Sequence, residues 1–141
     1  MGDRLRARRE EIVLEHVDAE NACDYERALA TFDHPRYEFV ATDEVFEGAE
    51  QVMEHWLELD RAFPDQRDEV LAFHHADETV LLEMVTRGTH LGPLRGLPPT
   101  GRRFEQLGVA SSAESLRGRV GTVVNHPLTV GRALIRRVTG R

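Results

Sequence analysis

The 141-residue chain has the length of one domain and carries 25 acidic residues against 18 basic ones, a net charge of −7. This acidity argues against nucleic acid as the main partner, and no apolar run approaches the ~20 residues that span a bilayer. An arginine-rich N-terminus without a following apolar segment predicts no secretory signal, and the single cysteine, Cys23, fits the cytoplasm expected for the chain.

The first hundred residues predict helices alternating with strands. Apolar residues recur at three- and four-residue spacings in the predicted helices and at alternate positions in the predicted strands. The helices span 4–31 and 49–63, and the strands span 36–42, 45–47, 66–75 and 79–90. Proline follows each helix and ends it, because the residue before a proline is disfavoured in the α region. A loop rich in glycine and proline occupies 92–101.

The last predicted strand has two different faces. One parity of the strand holds Val80, Leu82, Met84, Thr86, Gly88 and His90. We expect this mostly apolar face to point into the fold.

The region after residue 101 is harder to assign. Residues 102–107 favour the start of another strand, and residues 120–124 fit either a strand or a helix. Asn125-His126-Pro127 predicts a helix start, with Asn125 as N-cap and proline in the first turn.

Four motifs follow one another in the chain. They are Gly48 ahead of a helix, Ala62-Phe63-Pro64-Asp65, Gly88-Thr89-His90-Leu91-Gly92 and Gly96-Leu97-Pro98-Pro99-Thr100-Gly101-Arg102-Arg103. In this order they resemble the SnoaL-like polyketide cyclase and predicted ester cyclase group of the nuclear transport factor 2-like superfamily. The resemblance implies an α+β cone in which a curved antiparallel sheet wraps two or three helices and leaves a pocket.

The resemblance also implies a gap. In relatives, two long strands separate the double-arginine segment from a Gln-Leu-Gly sequence, whereas here Glu105 is followed directly by Gln106. We therefore expect a shortened domain over 1–105 with an incomplete sheet, and a basic C-terminal helical extension over 106–141. The family's catalytic aspartate would lie on a missing strand, so no residue is assigned to its role. The alternative is that residues 102–111 and 118–124 supply the two strands.

His90 is the candidate catalytic residue, because a histidine at a pocket mouth can transfer a proton near neutral pH. The alternative for His90 is structural, with its ring fixing the glycine loop. His16, Tyr37, Trp56 and Met84 are candidate pocket residues, although such side chains also serve as ordinary core packing. No ligand spacing predicts a metal site, and no motif predicts a cofactor.

Three functions remain open at this point. The first is an enzyme that performs cyclase- or isomerase-like general acid–base chemistry on a small, largely apolar carbonyl compound. The second is a non-catalytic module that binds a ligand or dimerises. The third is an inactive, truncated member of the family. The expected partners are a small apolar molecule and, in a homodimer, a second copy of the chain. Neither nucleic acid nor a membrane is expected.

Overall fold

The computed structural model describes the backbone of residues 2–114 and 120–126, which form three helices and one six-stranded sheet. The elements in chain order are α1 (Gly2–Asn21), α2 (Tyr25–Leu29), β1 (Arg36–Phe39), β2 (Glu44–Glu47), α3 (Gly48–Ala62), β3 (Arg67–His75), β4 (Thr79–Thr89), β5 (Arg103–Glu114) and β6 (Val120–His126). The sheet order is β2-β1-β6-β5-β4-β3, antiparallel throughout except for the parallel pair of β1 and β6. The predicted α+β class is confirmed. Within the described ranges, no helix is long and apolar enough to cross a membrane.

The two strands expected to be missing are present as β5 and β6. β5 runs unbroken through the Glu105–Gln106 junction and pairs with β4 from Thr89↔Arg103 to Thr79↔Ala113. β6 closes the space between β5 and β1. The prediction that two strands are lost is therefore wrong, and the alternative assignment of these strands to residues 102–111 and 118–124 is confirmed. The division into domains at 105/106 stays a prediction. The 11-residue β4 would otherwise present unpaired backbone groups along one edge, so the next alternating segment pairs with it.

The predicted C-terminal helix does not begin at Asn125. Asn125 and His126 end β6 and pair with Ala110 and Val109 of β5. Strand pairing supplies partners for the backbone groups of these residues, so the N-cap pattern is overridden. The rest of the predicted helix lies outside the described residues.

The first helix is shorter than the predicted span of 4–31. α1 ends at Asn21, and Cys23 adopts a left-handed conformation with φ of 55°. The Asp24 side chain then caps α2 by accepting a hydrogen bond of 3.2 Å from the Arg27 amide. This turn redirects the chain and brings Tyr25 of α2 against Trp56 of α3, with ring centroids 5.4 Å apart.

The core lies between the helices and the inner face of the sheet. It combines the buried stripe of α1 with buried residues of α3 and of β4, namely Ile12, Val13, Val17, Val52, Trp56, Val80, Leu82 and Met84. The predicted inward parity of β4 is confirmed, since Val80, Leu82 and Met84 are all buried. A second, smaller cluster packs Phe63 against Phe104, where α3 ends.

Candidate functional site

A small cavity opens where the end of α1 meets α2, α3 and the start of β3. Its volume is about 40 Å³, which accommodates about three water molecules and therefore one small functional group. The lining combines carboxylates with aromatic and apolar side chains: Glu20, Asn21, Cys23, Tyr25, Trp56, Leu59, Asp60, Phe63, Pro64, Gln66 and Asp68. Three of these residues are acids, and none is lysine, arginine or histidine.

Glu20 lines the cavity and belongs to a hydrogen-bonded cluster that extends from the cavity into the core. The Tyr37 hydroxyl donates to Glu20 Oε1 at 2.5 Å. His16 Nε2 lies 2.7 Å from the Tyr37 oxygen and 3.1 Å from Glu20 Oε1. On the far side of the ring, His16 Nδ1 lies 2.7 Å from Thr31 Oγ1. One turn of α1 separates His16 from Glu20, so the helix itself places both side chains on the same face.

The hydrogen bonds of this cluster form a chain through the His16 ring. The Thr31 hydroxyl donates to the Ala28 carbonyl at 2.6 Å, and its oxygen lies within hydrogen-bond distance of His16 Nδ1. Tyr37 donates its one proton to Glu20, and its oxygen lies within hydrogen-bond distance of His16 Nε2. Both ring nitrogens of His16 therefore have partners, and the ring is held in one orientation.

The titration of Glu20 and Tyr37 agrees with this arrangement. Burial alone would raise the pKa of Glu20, but the charge and hydrogen bond of His16, with hydrogen bonds from Tyr37 and Trp56, lower it overall. Burial and then the negative charge of Glu20 raise the pKa of Tyr37 well above its ordinary value. Tyr37 is therefore a permanent hydrogen-bond donor that fixes the orientation of Glu20.

Asp68 on β3 is the cavity group that titrates near neutral pH. Its carboxylate accepts a hydrogen bond from the hydroxyl of Thr86, its register partner on β4. Asn21, at the end of α1, holds the Asp68 backbone through two hydrogen bonds of 2.8 Å. Burial and then the charge of Glu20 raise the pKa of Asp68 to about 6, against the opposing effects of Thr86 and His16. A carboxyl group with this pKa can accept a proton and return it near neutral pH.

Three of the four predicted pocket residues come together at this site. Trp56 lines the cavity and stacks on Tyr25. His16 and Tyr37 lie directly behind Glu20, with ring centroids 5.9 Å from that of Trp56 in each case. Met84 is buried in the core and does not line the cavity.

His90 lies elsewhere, in the small cluster at the end of α3. It is fully buried, its ring centroid is 5.5 Å from that of Phe63, and it is not among the residues lining the cavity. Its Nδ1 is 3.2 Å from Thr100 Oγ1, while its Nε2 has no hydrogen-bond partner among the described residues. The His90 backbone exchanges hydrogen bonds with Gly101 and Arg102 across the loop. These contacts favour the structural alternative, in which His90 fixes the glycine loop.

The glycine motifs around His90 have a packing explanation. A Cβ on Gly92 would lie 1.9 Å from the Arg61 carbonyl oxygen, because the loop crosses directly over the end of α3. The amides of Leu91 and Gly92 both donate to the Ala62 carbonyl there, at 2.9 and 3.1 Å. Asp65 caps the neighbouring strand end by accepting from the amide and the hydroxyl of Thr89, at 2.7 and 2.6 Å. The motif residues therefore dock the loop onto the body of the protein.

Sequence reasoning found His16 and Tyr37 but missed Glu20 and Asp68. Two signals were present. Glu20 follows His16 by one helical turn, and Asp68 occupies an inward position of β3, two residues before Val70. An acid at an inward-facing strand position is costly unless it is hydrogen-bonded, and for that reason it is a useful marker of a site.

The described residues contain no group of three or more histidine, cysteine, aspartate or glutamate side chains placed to hold a metal ion.

Comparisons with known proteins agree with the fold. The family model for the SnoaL-like polyketide cyclases matches residues 10–119. No curated protein matches the chain. A solved structure described provisionally as a SnoaL-like polyketide cyclase, from Jannaschia sp. CCS1, superposes with a TM-score of 0.84 at 20% identity, covering 96% of this chain and 94% of that one.

Two further solved structures are similar. AclR from Streptomyces galilaeus, described provisionally as a hydroxylase, has a TM-score of 0.80 at 24% identity, with 96% of this chain and 83% of AclR covered. A protein from Xanthomonas campestris, described provisionally as a polyketide cyclase, has a TM-score of 0.79 at 18% identity, with coverages of 95% and 98%. At these identities the likenesses concern the fold. The predicted cone-shaped fold of the nuclear transport factor 2-like superfamily is thus confirmed.

Proposed function

The chain belongs to the SnoaL-like polyketide cyclase family, and we propose that it performs general acid–base chemistry on a small, largely apolar carbonyl compound, with Asp68 as the proton acceptor. The observation that carries this proposal is the position of Asp68: a partly buried carboxyl in the cavity wall, with a pKa of about 6, held at both its side chain and its backbone. A general base needs a pKa near the working pH and a fixed position in the site.

The proposed reaction begins with the removal of a proton from the carbon next to a carbonyl group. The Asp68 carboxylate takes this proton, and the electron pair of the C–H bond moves into the enolate. In a cyclisation, the enolate carbon forms a bond to a second carbonyl carbon of the same substrate. The alkoxide formed there then takes the proton back from Asp68, so the acid and base roles alternate on one residue.

The hydrogen-bonded cluster around Glu20 supports Asp68 electrostatically. In addition to burial, the Glu20 carboxylate raises the pKa of Asp68, and His16 opposes that rise. Because Tyr37 and Thr31 hold the cluster in one geometry, its side chains are fixed before a substrate arrives. The cavity volume of about 40 Å³ is far below the roughly 300 Å³ or more of typical ligand pockets. We therefore expect only the reacting end of a substrate to enter.

A second candidate is non-catalytic binding of a small ligand, which the small cavity favours. Exchange of carbon-bound protons for deuterium distinguishes the two. The measurement follows cyclohexanone and other small neutral ketones in D₂O by NMR, with and without the protein. General base catalysis predicts an exchange rate that rises with pH around a midpoint of about 6, the pKa of Asp68.

The variant Asp68→Asn tests the assignment. We expect the exchange rate to fall at least about 100-fold while the fold is kept, since the amide oxygen of the introduced asparagine still accepts from Thr86. Glu69→Gln is the matched control, because Glu69 is adjacent on β3 but exposed and paired with Arg87. Equal rates in Asp68→Asn and the wild type would disprove the role of Asp68. Absence of exchange with every ketone would favour the binding module.

A further inference from the structure

The cavity combines two features that select a ligand by charge. It carries three carboxylates, Glu20, Asp60 and Asp68, and no basic residue lies in its lining. It also presents the stacked rings of Tyr25 and Trp56, whose planes are inclined by only 20°. Carboxylates and aromatic faces both attract a cation and both disfavour an anion.

The carboxylates differ in how their charges are balanced. Glu20 Oε1 lies 3.1 Å from His16 Nε2. Asp60 on α3 accepts a hydrogen bond of 3.4 Å from the Cys23 thiol and lies near the Tyr25 hydroxyl. Asp68 accepts from the Thr86 hydroxyl. Within the described part of the chain, neither Asp60 nor Asp68 has an ion-pair partner.

Many acids on the surface of the protein are arranged differently. Arg87 binds both Glu69 and Glu105, Arg95 binds Glu44 and Glu58, and Arg36 binds Glu38 and Glu47. Among the described residues, these three arginines balance acids of the sheet, of α3 and near the glycine loop, and none of the three lines the cavity. The uncompensated charge at Asp60 lies beside the Tyr25–Trp56 stack.

We propose that the cavity selects substrates that carry a small organic cation, an ammonium or quaternary ammonium group, close to the reacting carbonyl. The cation lies at the rim, against Asp60 and the face of Tyr25, and the carbonyl end reaches Asp68. This inference rests on the proposed function for the position of the carbonyl, whereas the selection of a cation is testable by binding alone. Anionic substrates are excluded by the same charges.

The test compares two ligands that have nearly the same shape and differ in charge. Choline carries a trimethylammonium group, and 3,3-dimethylbutan-1-ol carries a neutral tert-butyl group in its place. Binding is measured by NMR titration at low salt. We expect choline to bind at least about 10-fold more tightly than the alcohol, and the preference to shrink as salt is added.

Variants locate the binding site. Asp60→Asn removes the rim charge without touching Asp68, and we expect choline affinity to fall about 5-fold or more, with the alcohol unaffected. Glu26→Gln is the matched control: Glu26 is an exposed acid of α2 that is not part of the lining, so its loss leaves choline affinity within about 2-fold of the wild type.

The outcomes separate this inference from the proposed function. Equal affinities for choline and the alcohol, or no binding of choline at millimolar concentration, would overturn the selection of a cation, even if ketone exchange depends on Asp68. Choline binding that is lost in Asp60→Asn supports the inference, even if no ketone exchange is found. Equal losses in Asp60→Asn and Glu26→Gln would show a general effect of net charge and would also overturn it.

Discussion

Two of the buried histidines, His16 and His90, differ in what their side chains contact. Their exposures are 4% and 0%. Both nitrogens of His16 have partners, and through Glu20 the ring is connected to a cavity. His90 has one partner, Thr100, and packs on Phe63 below a loop. These two buried histidines therefore differ in their connections, since His16 is linked through Glu20 to the cavity and His90 is linked to the glycine loop.

The comparison predicts that the His90 region tolerates little change in packing. Gly92→Ala places a Cβ against the rigid Arg61 carbonyl, and we expect the free energy of unfolding to fall by about 3 kcal/mol. The measurement is urea unfolding at neutral pH. Gly96→Ala is the control: Gly96 has φ of +83° but open space around it, so only backbone strain of about 1 kcal/mol is expected. Equal losses in both variants would contradict the packing explanation.

The His16 region, by contrast, should become more stable when its titrating carboxyl is removed. The pKa of Asp68 is about 6 in the folded protein against an ordinary value of 3.8, so the folded state binds more protons than the unfolded state between these values. The contribution of Asp68 to stability is therefore lost as pH rises from about 4 to about 6. Above pH 6, Asp68→Asn should be more stable than the wild type by about 2–3 kcal/mol.

Urea unfolding at pH 4, 5 and 7 measures this difference, which should be small at pH 4 and should reach its full size near pH 7. Glu69→Gln, next to Asp68 but exposed, should show no comparable rise. A gain in stability accompanied by a loss of ketone exchange would mark Asp68 as a residue kept for function. If the variant is less stable at every pH, the raised pKa is wrong.

The smallest effect is expected for His90 itself. His90→Leu loses the contact with Thr100 but also removes a buried ring nitrogen without a partner among the described residues, so we expect a change of about 1 kcal/mol in the free energy of unfolding. Ketone exchange should stay within a few-fold of the wild-type rate. If His90→Leu loses ketone exchange but keeps the free energy of unfolding of the wild type, His90 is catalytic, as the sequence predicted.

Local patterns predicted the helices and strands well where the alternation was clear. The inward parity of β4 and the end of the second predicted helix before Pro64 follow from short-range rules and are found in the structure. His55 neighbours Trp56 on α3, so a helix with only one buried face would expose it to solvent. His55 is 6% exposed and stacks on Phe46 at 4.3 Å, because β1 and β2 cover a second face of α3.

The sequence by itself determined the family, the order of the elements and the inward faces of the strands, because those depend on periodicity and on motifs of adjacent residues. Only the tertiary structure decided that β5 passes through the Glu105–Gln106 junction, since strand pairing depends on a neighbour that needs a partner. Only the fold, too, brings together Glu20 of α1, Tyr37 of β1 and Asp68 of β3. Their pKa values follow from burial and mutual charge, and neither exists until the chain is folded.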